Sequence, residues 1–278
     1  MMVRNRVLRC LAGLFTIVFV MGLSACGGSQ TEKLVLTGSS TVAPLASEIA
    51  RAFEQLHPET RIDVQTGGSS RGINDARNDL ADIGMVSRAL KSNESDLTAQ
   101  TIAWDGITLI LNSSNPVQLL NRSQVIDIYT KKITNWSEVG GPDQPVVVVN
   151  KAEGRSTLEL FLKFYQLKGT EIKADIIIGD NQQGLKTVSG NPFAIGYVSI
   201  GAANYEKEQG APIRILPVNG VDGTLSNVEK GLFPISRPLN LVTRDQSNPL
   251  AQQFIAFAQS SEVAELVARQ FFVPAHAN

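Results

Sequence analysis

Cysteine and histidine are nearly missing from this chain, which carries two of each in 278 residues. Cys10 and Cys26 both fall near the start. The body that follows therefore holds no cysteine pair for a structural disulfide, and its stability must come from a packed core. His57 in LHP, His276 in the closing AHAN and one cysteine beyond the leader make no zinc constellation, so no metal is expected. Charge of one sign is missing too: 25 Lys and Arg against 26 Asp and Glu leave a formal net charge of −1 with no block of like charges, which argues against nucleic acid as a partner. No GxxxxGK[ST] element occurs, so a P-loop nucleotide site is excluded and no cofactor is expected. No long Pro- or Ser-rich linker and no internal repeat interrupts the chain, whose length suits one large domain or two modest ones.

An apolar run long enough to span a membrane is also lacking. The basic stretch MMVRNRVLR leads into CLAGLFTIVFVMGL, which is shorter than the roughly 20 residues of a spanning helix. Leu23, Ser24, Ala25 and Cys26 match the bacterial lipoprotein cleavage pattern. Residues 1–25 are accordingly expected to be a lipoprotein signal peptide, with Cys26 the acylated first residue and 26–32 a linker. That predicts a chain anchored by lipid to the cell membrane and facing the periplasm or the exterior. An uncleaved anchor and an ordinary secretory signal are the competing readings.

From Lys33 onward β-rich runs alternate with helical patterns. LVLTG, RIDVQT, ADIGMVS, TIAWDGITLILN, PVVVV, DIIIG, AIGYVSI, IRILPV and LNLVT read as strands. APLASEIARAFEQL and RSQVIDIYTKK read as helices, and the stretch from PLAQQF to ARQFF reads as two more. This alternation predicts an α/β fold. The run Thr101 to Asn112 is long enough to cross between two lobes, with a second crossing somewhere between Gly196 and Ser236.

Three strand-to-helix turns share one composition: Gly38-Ser39-Ser40-Thr41, Gly67-Gly68-Ser69-Ser70 and Gly154-Arg155-Ser156-Thr157. Each puts glycine and hydroxyls where a helix begins, so backbone N–H groups and the positive end of the helix dipole face outward. Singly, such a turn is explained by Ser and Thr as helix caps and by glycine easing the chain reversal. Together, at the carboxyl ends of strands where α/β sheets gather ligands, the three predict a site for a tetrahedral oxyanion. Arg155 would supply full charge and a planar fork. Ser87 and Arg88, closing DIGMVSR, stand at another predicted strand end; Arg88 reads equally as a ligand arginine and as a salt-bridged surface one. Asp105, a lone carboxylate on an apolar strand, reads as an arginine's partner or as the acceptor of a proton carried by the ligand. A hydrolase is the competing class, because GSSRG fits GxSxG with Ser70 as nucleophile; it lacks a well-placed histidine.

The segments GSSTVAPL, GGSSRGI, ADIGMVSR, WDGITLILN, VIDIYTKKITNWSEVGG, NKAEGRST, AIGYVS and FPISRPL occur in the order found in the phosphate-binding proteins of bacterial ABC transporters, and the chain resembles the shorter branch of that family. The resemblance implies a two-lobed Venus-flytrap fold (type II) with crossing hinge strands: residues 33–107 and 232–278 in one lobe and 108–231 in the other. It implies a non-enzymatic monomer that captures inorganic phosphate and hands it to a membrane permease. Carried over residue by residue, it places Ser40, Thr41, Val42, Ser69, Ser87, Arg88, Asp105, Arg155, Ser156 and Thr157 around the ligand. Two departures stand out. The better-known branch has an aspartate accepting the phosphate proton where this chain has Ser87 and Arg88, and its loop arginine is replaced here by Lys151, with Arg155 further on. Sulfate carries no proton at neutral pH, so selectivity turns on an acceptor, for which Asp105 is the candidate. Another oxyanion, such as sulfate, tungstate or a carboxylate, is the alternative ligand.

Overall fold

The computed structural model describes residues 31–244 and 248–275. The leader, Cys26 and His276 lie outside these described residues. Among the described residues no helix is long and apolar enough to cross a membrane.

The elements run β1 (Glu32–Gly38), α1 (Ala43–Leu56), β2 (Thr60–Thr66), α2 (Ser69–Arg77), β3 (Ile83–Val86), β4 (Thr98–Asn112), α3 (Arg122–Tyr129), β5 (Val147–Lys151) and α4 (Ser156–Tyr165). They continue through β6 (Ile176–Ile178), α5 (Asn181–Ser189), β7 (Ala194–Ser199), α6 (Ile200–Glu208), β8 (Ile213–Leu216), α7 (Leu225–Glu229), β9 (Ser236–Thr243), α8 (Pro249–Ala258), α9 (Ala264–Arg269) and β10 (Val273–Pro274). All nine β-rich runs read from the sequence are strands, and β10 is an addition.

The sheet order is β2-β1-β3-β9-β4-β7-β5-β6, and β4 is the strand common to both lobes. Thr98 to Gly106 pair antiparallel with β9, whereas Ile107 to Asn112 pair with β7 on one side and β8 on the other. The chain returns beside this switch, where the Ile107 N–H donates to the Ile235 carbonyl at 3.0 Å. Two strand segments thus pass side by side between the lobes.

Each lobe has its own core. On one side Leu45, Ile49 and Phe53 of α1 project at helical spacing onto Leu34 and Leu36 of β1 and onto Phe254 of α8. His57 ends α1 because Pro58 disfavours helix in the residue before it, and its ring stacks on Phe53 with centroids 4.2 Å apart. On the other side the strands are buried on both faces: Leu109, Val148, Ile195 and Tyr197 face one cluster, while Ile110, Val149, Ala194 and Val198 face another. Helices covering both faces explain why PVVVV and GITLILN read as unbroken apolar runs rather than alternating ones.

Candidate anion-binding site

The three Gly-hydroxyl turns converge between the lobes. β1 ends at Gly38, where a φ of +130° and the closeness of the Met85 carbonyl and of Gly72 Cα, 2.9 Å from an added Cβ, exclude any side chain and let α2 pack close against β1 and β3. Gly68, with φ +94°, ends the second turn; a Cβ there would meet the Gly154 carbonyl and Arg155 Cδ at 2.8 Å, both from the facing turn. The Ser70 N–H donates across the cleft to the Gly154 carbonyl at 3.2 Å.

Hydroxyls from both lobes form one connected chain. Ser39 Oγ donates to Ser87 Oγ at 2.9 Å, Ser87 and Ser156 share a bond of 2.6 Å, Ser69 Oγ donates to Ser156 Oγ at 3.1 Å, and the Ser87 N–H donates to Ser69 Oγ at 3.1 Å. All four serines are buried. Helices α1, α2 and α4 begin here without a side-chain cap, so their serines and threonines are turned toward one another and not spent on their own helix ends. Ser39 also braces the turn ahead of α1, accepting from the N–H groups of Thr41 and Val42 at 3.2 and 3.4 Å.

The charge at the centre is Arg237, only 1 % exposed, the second residue of strand β9 after the return crossing. Its Nε and Nη2 donate to Asp105 Oδ2 at 3.0 and 2.8 Å, and Asp105 Oδ1 accepts from the Gly201 N–H at 3.2 Å. The remaining donors reach the hydroxyls: Nη1 to Thr157 Oγ1 at 3.0 Å and to Ser87 Oγ at 3.4 Å, and Nη2 to Thr41 Oγ1 at 3.2 Å. A guanidinium has donors only. Thr41 and Thr157 must therefore accept from it, which leaves their own protons to donate elsewhere. Asn181, at the head of α5, donates through Nδ2 to Thr41 Oγ1 at 3.1 Å and accepts from Lys151 Nζ at 2.9 Å. The result is a buried cluster of hydroxyl donors biased by a buried cation, which suits a tetrahedral oxyanion.

The family description of the PBP superfamily domain matches residues 25–262. The chain belongs to the PBP superfamily. This superfamily member is 27% identical over 277 residues to the phosphate-binding protein PstS of Bacillus subtilis, covering 92% of this chain and 90% of the relative. A Clostridium perfringens chain described as a phosphate ABC transporter substrate-binding protein, solved with bound phosphate, superposes with a TM-score of 0.81 at 34% identity, over 88% of this chain and 100% of the other. An ABC-type phosphate transport receptor from Vibrio cholerae gives 0.70 at 31% identity, over 86% and 99%. The α/β, two-lobed fold read from the sequence is the fold of these proteins.

Within this fold, Thr41, Ser69, Ser87, Ser156 and Thr157 of the sequence-derived set come together. Val42 lies at the same turn with its N–H on Ser39, and Ser40 is half-buried at the edge of an adjoining cleft. The charged residues differ from expectation. Arg88 forms a fork with Glu94 at 2.7 and 2.8 Å through Nη1 and Nη2, Nη1 also donates to the Ala89 carbonyl, and its Nε lies 3.3 Å from Glu159 of α4, so carboxylates rather than the hydroxyl cluster neutralise its charge. Burial alone would lower its pKa, but the Glu94 and Glu159 carboxylates raise it above the ordinary arginine value. Arg155 was expected to supply the buried fork. It lies half-buried across Gly68 of the other turn, at the cleft lip, because helix α4 starts one residue later and carries Ser156 and Thr157 inward instead. Asp105 accepts two hydrogen bonds from Arg237 and stands behind it; of its two sequence readings, the structure shows the arginine partner. Ser70, the hydrolase candidate, meets Gly154 through its backbone, while His57 is engaged with Phe53.

Arg237, Ser39, Asn181 and Lys151 complete the cluster and were absent from the sequence-derived set. Arg237 had one signal: Asp105 on an apolar strand demands a cation. Which cation depends on the β4–β9 register, in which Asp105 and Arg237 are direct partners.

Proposed function

We propose that this chain is an extracytoplasmic receptor, lipid-anchored through Cys26, that captures inorganic phosphate between its lobes and delivers it to the permease of an ABC transporter. The lobes in this reading are residues 33–107 with 232–278, and 108–231. The observation that carries it is the convergence of hydroxyls from the α1, α2 and α4 turns on Arg237. Hydrogen bonds to a charged group contribute roughly 1.5–3 kcal/mol each. Several converging donors therefore exceed the roughly 8 kcal/mol of micromolar binding, the surplus offsetting anion desolvation and lobe closure. The relatives named above are phosphate-binding proteins and transport receptors, which supports phosphate as the ligand and a binding rather than a catalytic role. Cross-cleft contacts such as Ser69–Ser156 and Asn181–Thr41 give closure its readout, since they exist only when the lobes meet.

One observation favours keeping sulfate as a second reading. Asp105 stands behind Arg237, and among the described residues no carboxylate is hydrogen-bonded to the serine cluster, so the serine hydroxyls, which donate and accept, are the groups placed to take the proton of hydrogen phosphate. Titration calorimetry with phosphate, sulfate, tungstate and a small carboxylate tests both. Phosphate should bind at micromolar concentration or tighter, and sulfate binding as tightly or more tightly would replace the phosphate reading.

A further inference from the structure

Lys151 ends β5 and is 3 % exposed, a rare place for a lysine. Its Nζ donates to an amide oxygen, Asn181 Oδ1, rather than to a carboxylate. The same amide reaches Thr41 Oγ1 through Nδ2, so one side chain separates Lys151 from the anion cluster.

We propose that Lys151 is a positioning residue of the oxyanion site: without touching the ligand, its ammonium holds the Asn181 amide in the direction that turns the Thr41 hydroxyl toward the anion. This rests on the receptor reading above. An ammonium offers three donors and no acceptor, so the charged lysine fixes the amide oxygen toward itself and leaves Nδ2 facing Thr41. Thr41 then accepts from Asn181 and from Arg237, and its own proton is free for the ligand. A neutral amine also accepts. The amide is then free to turn, its oxygen takes the Thr41 proton, and the anion loses a donor.

The surroundings leave this lysine poised between the two forms. Burial is the largest influence and favours the neutral amine; Asp180 at the α5 N-cap favours the ammonium, whereas Arg237 from β9 and Arg155 ahead of α4 oppose it. Together they bring its pKa down to about 7. Tyr197 of β7 faces the Lys151 backbone with a hydroxyl that burial keeps protonated. A polyanion held one side chain away shifts the balance toward the ammonium. Below about pH 7 the lysine is already charged and binding needs no proton. Above that value binding takes up a proton, and affinity falls as pH rises. A cleft bordered by Ser40, Thr41, Asn181 and Tyr205 brings solvent to the amide for this exchange.

The test is calorimetric titration of inorganic phosphate into the full chain and its Lys151→Met and Lys151→Arg variants at about pH 6.5 and about pH 9. Comparing variants at one pH cancels the ionisation of phosphate itself. Lys151→Met should bind at least tenfold more weakly at the lower pH, and that deficit should shrink about tenfold at the higher pH. Lys151→Arg, which does not titrate, should bind close to wild type at the lower pH and more tightly than wild type at the higher. Proton uptake by wild type at pH 8, measured in two buffers of different ionisation heat and exceeding that of Lys151→Arg, provides the same information if the methionine variant fails to fold. Variant-to-wild-type ratios that stay constant with pH, or equal proton uptake, overturn the role of Lys151 alone. A wild-type chain that binds no phosphate at either pH overturns the receptor reading and this inference with it.

Discussion

Eight of the nine α-helix starts among the described residues fall into two groups; the ninth, α9, continues directly from the 3-10 turn Ser261–Val263 and has no side-chain cap. Away from the cleft, and at its edge in α5, α3, α5, α6, α7 and α8 are capped by Asn121, Asp180, Ser199, Thr224 and Asn248, each accepting a backbone N–H of its own first turn. At the cleft, α1, α2 and α4 have no side-chain cap although serine and threonine stand at all three. The same residue types do opposite jobs. Where a hydroxyl or amide faces its own helix it stabilises the fold by about 1 kcal/mol. Where it faces the other lobe it is withheld from the helix, which leaves the positive end of the dipole uncapped toward the proposed anion site.

The largest effect is expected at the cation that separates the groups. Arg237→Ala should abolish phosphate binding in calorimetry and lower stability by about 3–5 kcal/mol in denaturant titrations, because Asp105 is left buried and unpaired. Replacing the pair together, Arg237→Met with Asp105→Leu, should restore most of the stability and none of the binding; restored binding would mean the hydroxyls alone suffice. Ser156→Ala should weaken binding by about 1–3 kcal/mol, roughly 5- to 150-fold, with little change in melting, while Asn248→Ala should lower stability by about 0.5–2 kcal/mol and leave affinity unchanged. A crossed outcome, with the cleft serine governing stability and the distal cap governing affinity, would dissolve the distinction between the two groups. Glu159→Gln should speed phosphate release a few-fold in stopped-flow measurements, since Glu159 ties Arg88 and Lys91 across the cleft at 3.3 and 2.7 Å and Lys91 is half exposed.

The smallest effect concerns acid. Glu94 is pushed up by burial, but the Arg88 fork and the Lys91 N–H outweigh this and hold its carboxyl below the ordinary value. A depressed carboxylate contributes stability above its unfolded pKa and loses it as pH falls through the folded one. Stability should therefore decline below about pH 4, and Glu94→Gln should flatten that limb of the pH–stability curve.

The strands were legible because burial on both faces writes itself as apolar runs, and α1 because Leu45, Ile49 and Phe53 repeat at helical spacing. The return crossing was blurred because Phe233 to Ser236 carries no period of its own and is defined only by pairing beside Ile107. In the cleft, glycine with hydroxyls at a helix start is a local signature, so three turns stood out. Arginine has none: Arg88, Arg155 and Arg237 look alike in sequence, and their fates depend on whether Glu94, the facing Gly68 or Asp105 lies within reach.

The sequence by itself determined the alternation of strands and helices, the Gly-hydroxyl composition of three helix starts and the isolation of Asp105 on an apolar strand, because each is a property of neighbours along the chain. Only the tertiary structure decided which arginine pairs with Asp105 and which hydroxyls meet. Those depend on strand register and on the approach of two lobes, where segments as distant as Thr41, Thr157 and Arg237 come within hydrogen-bond reach.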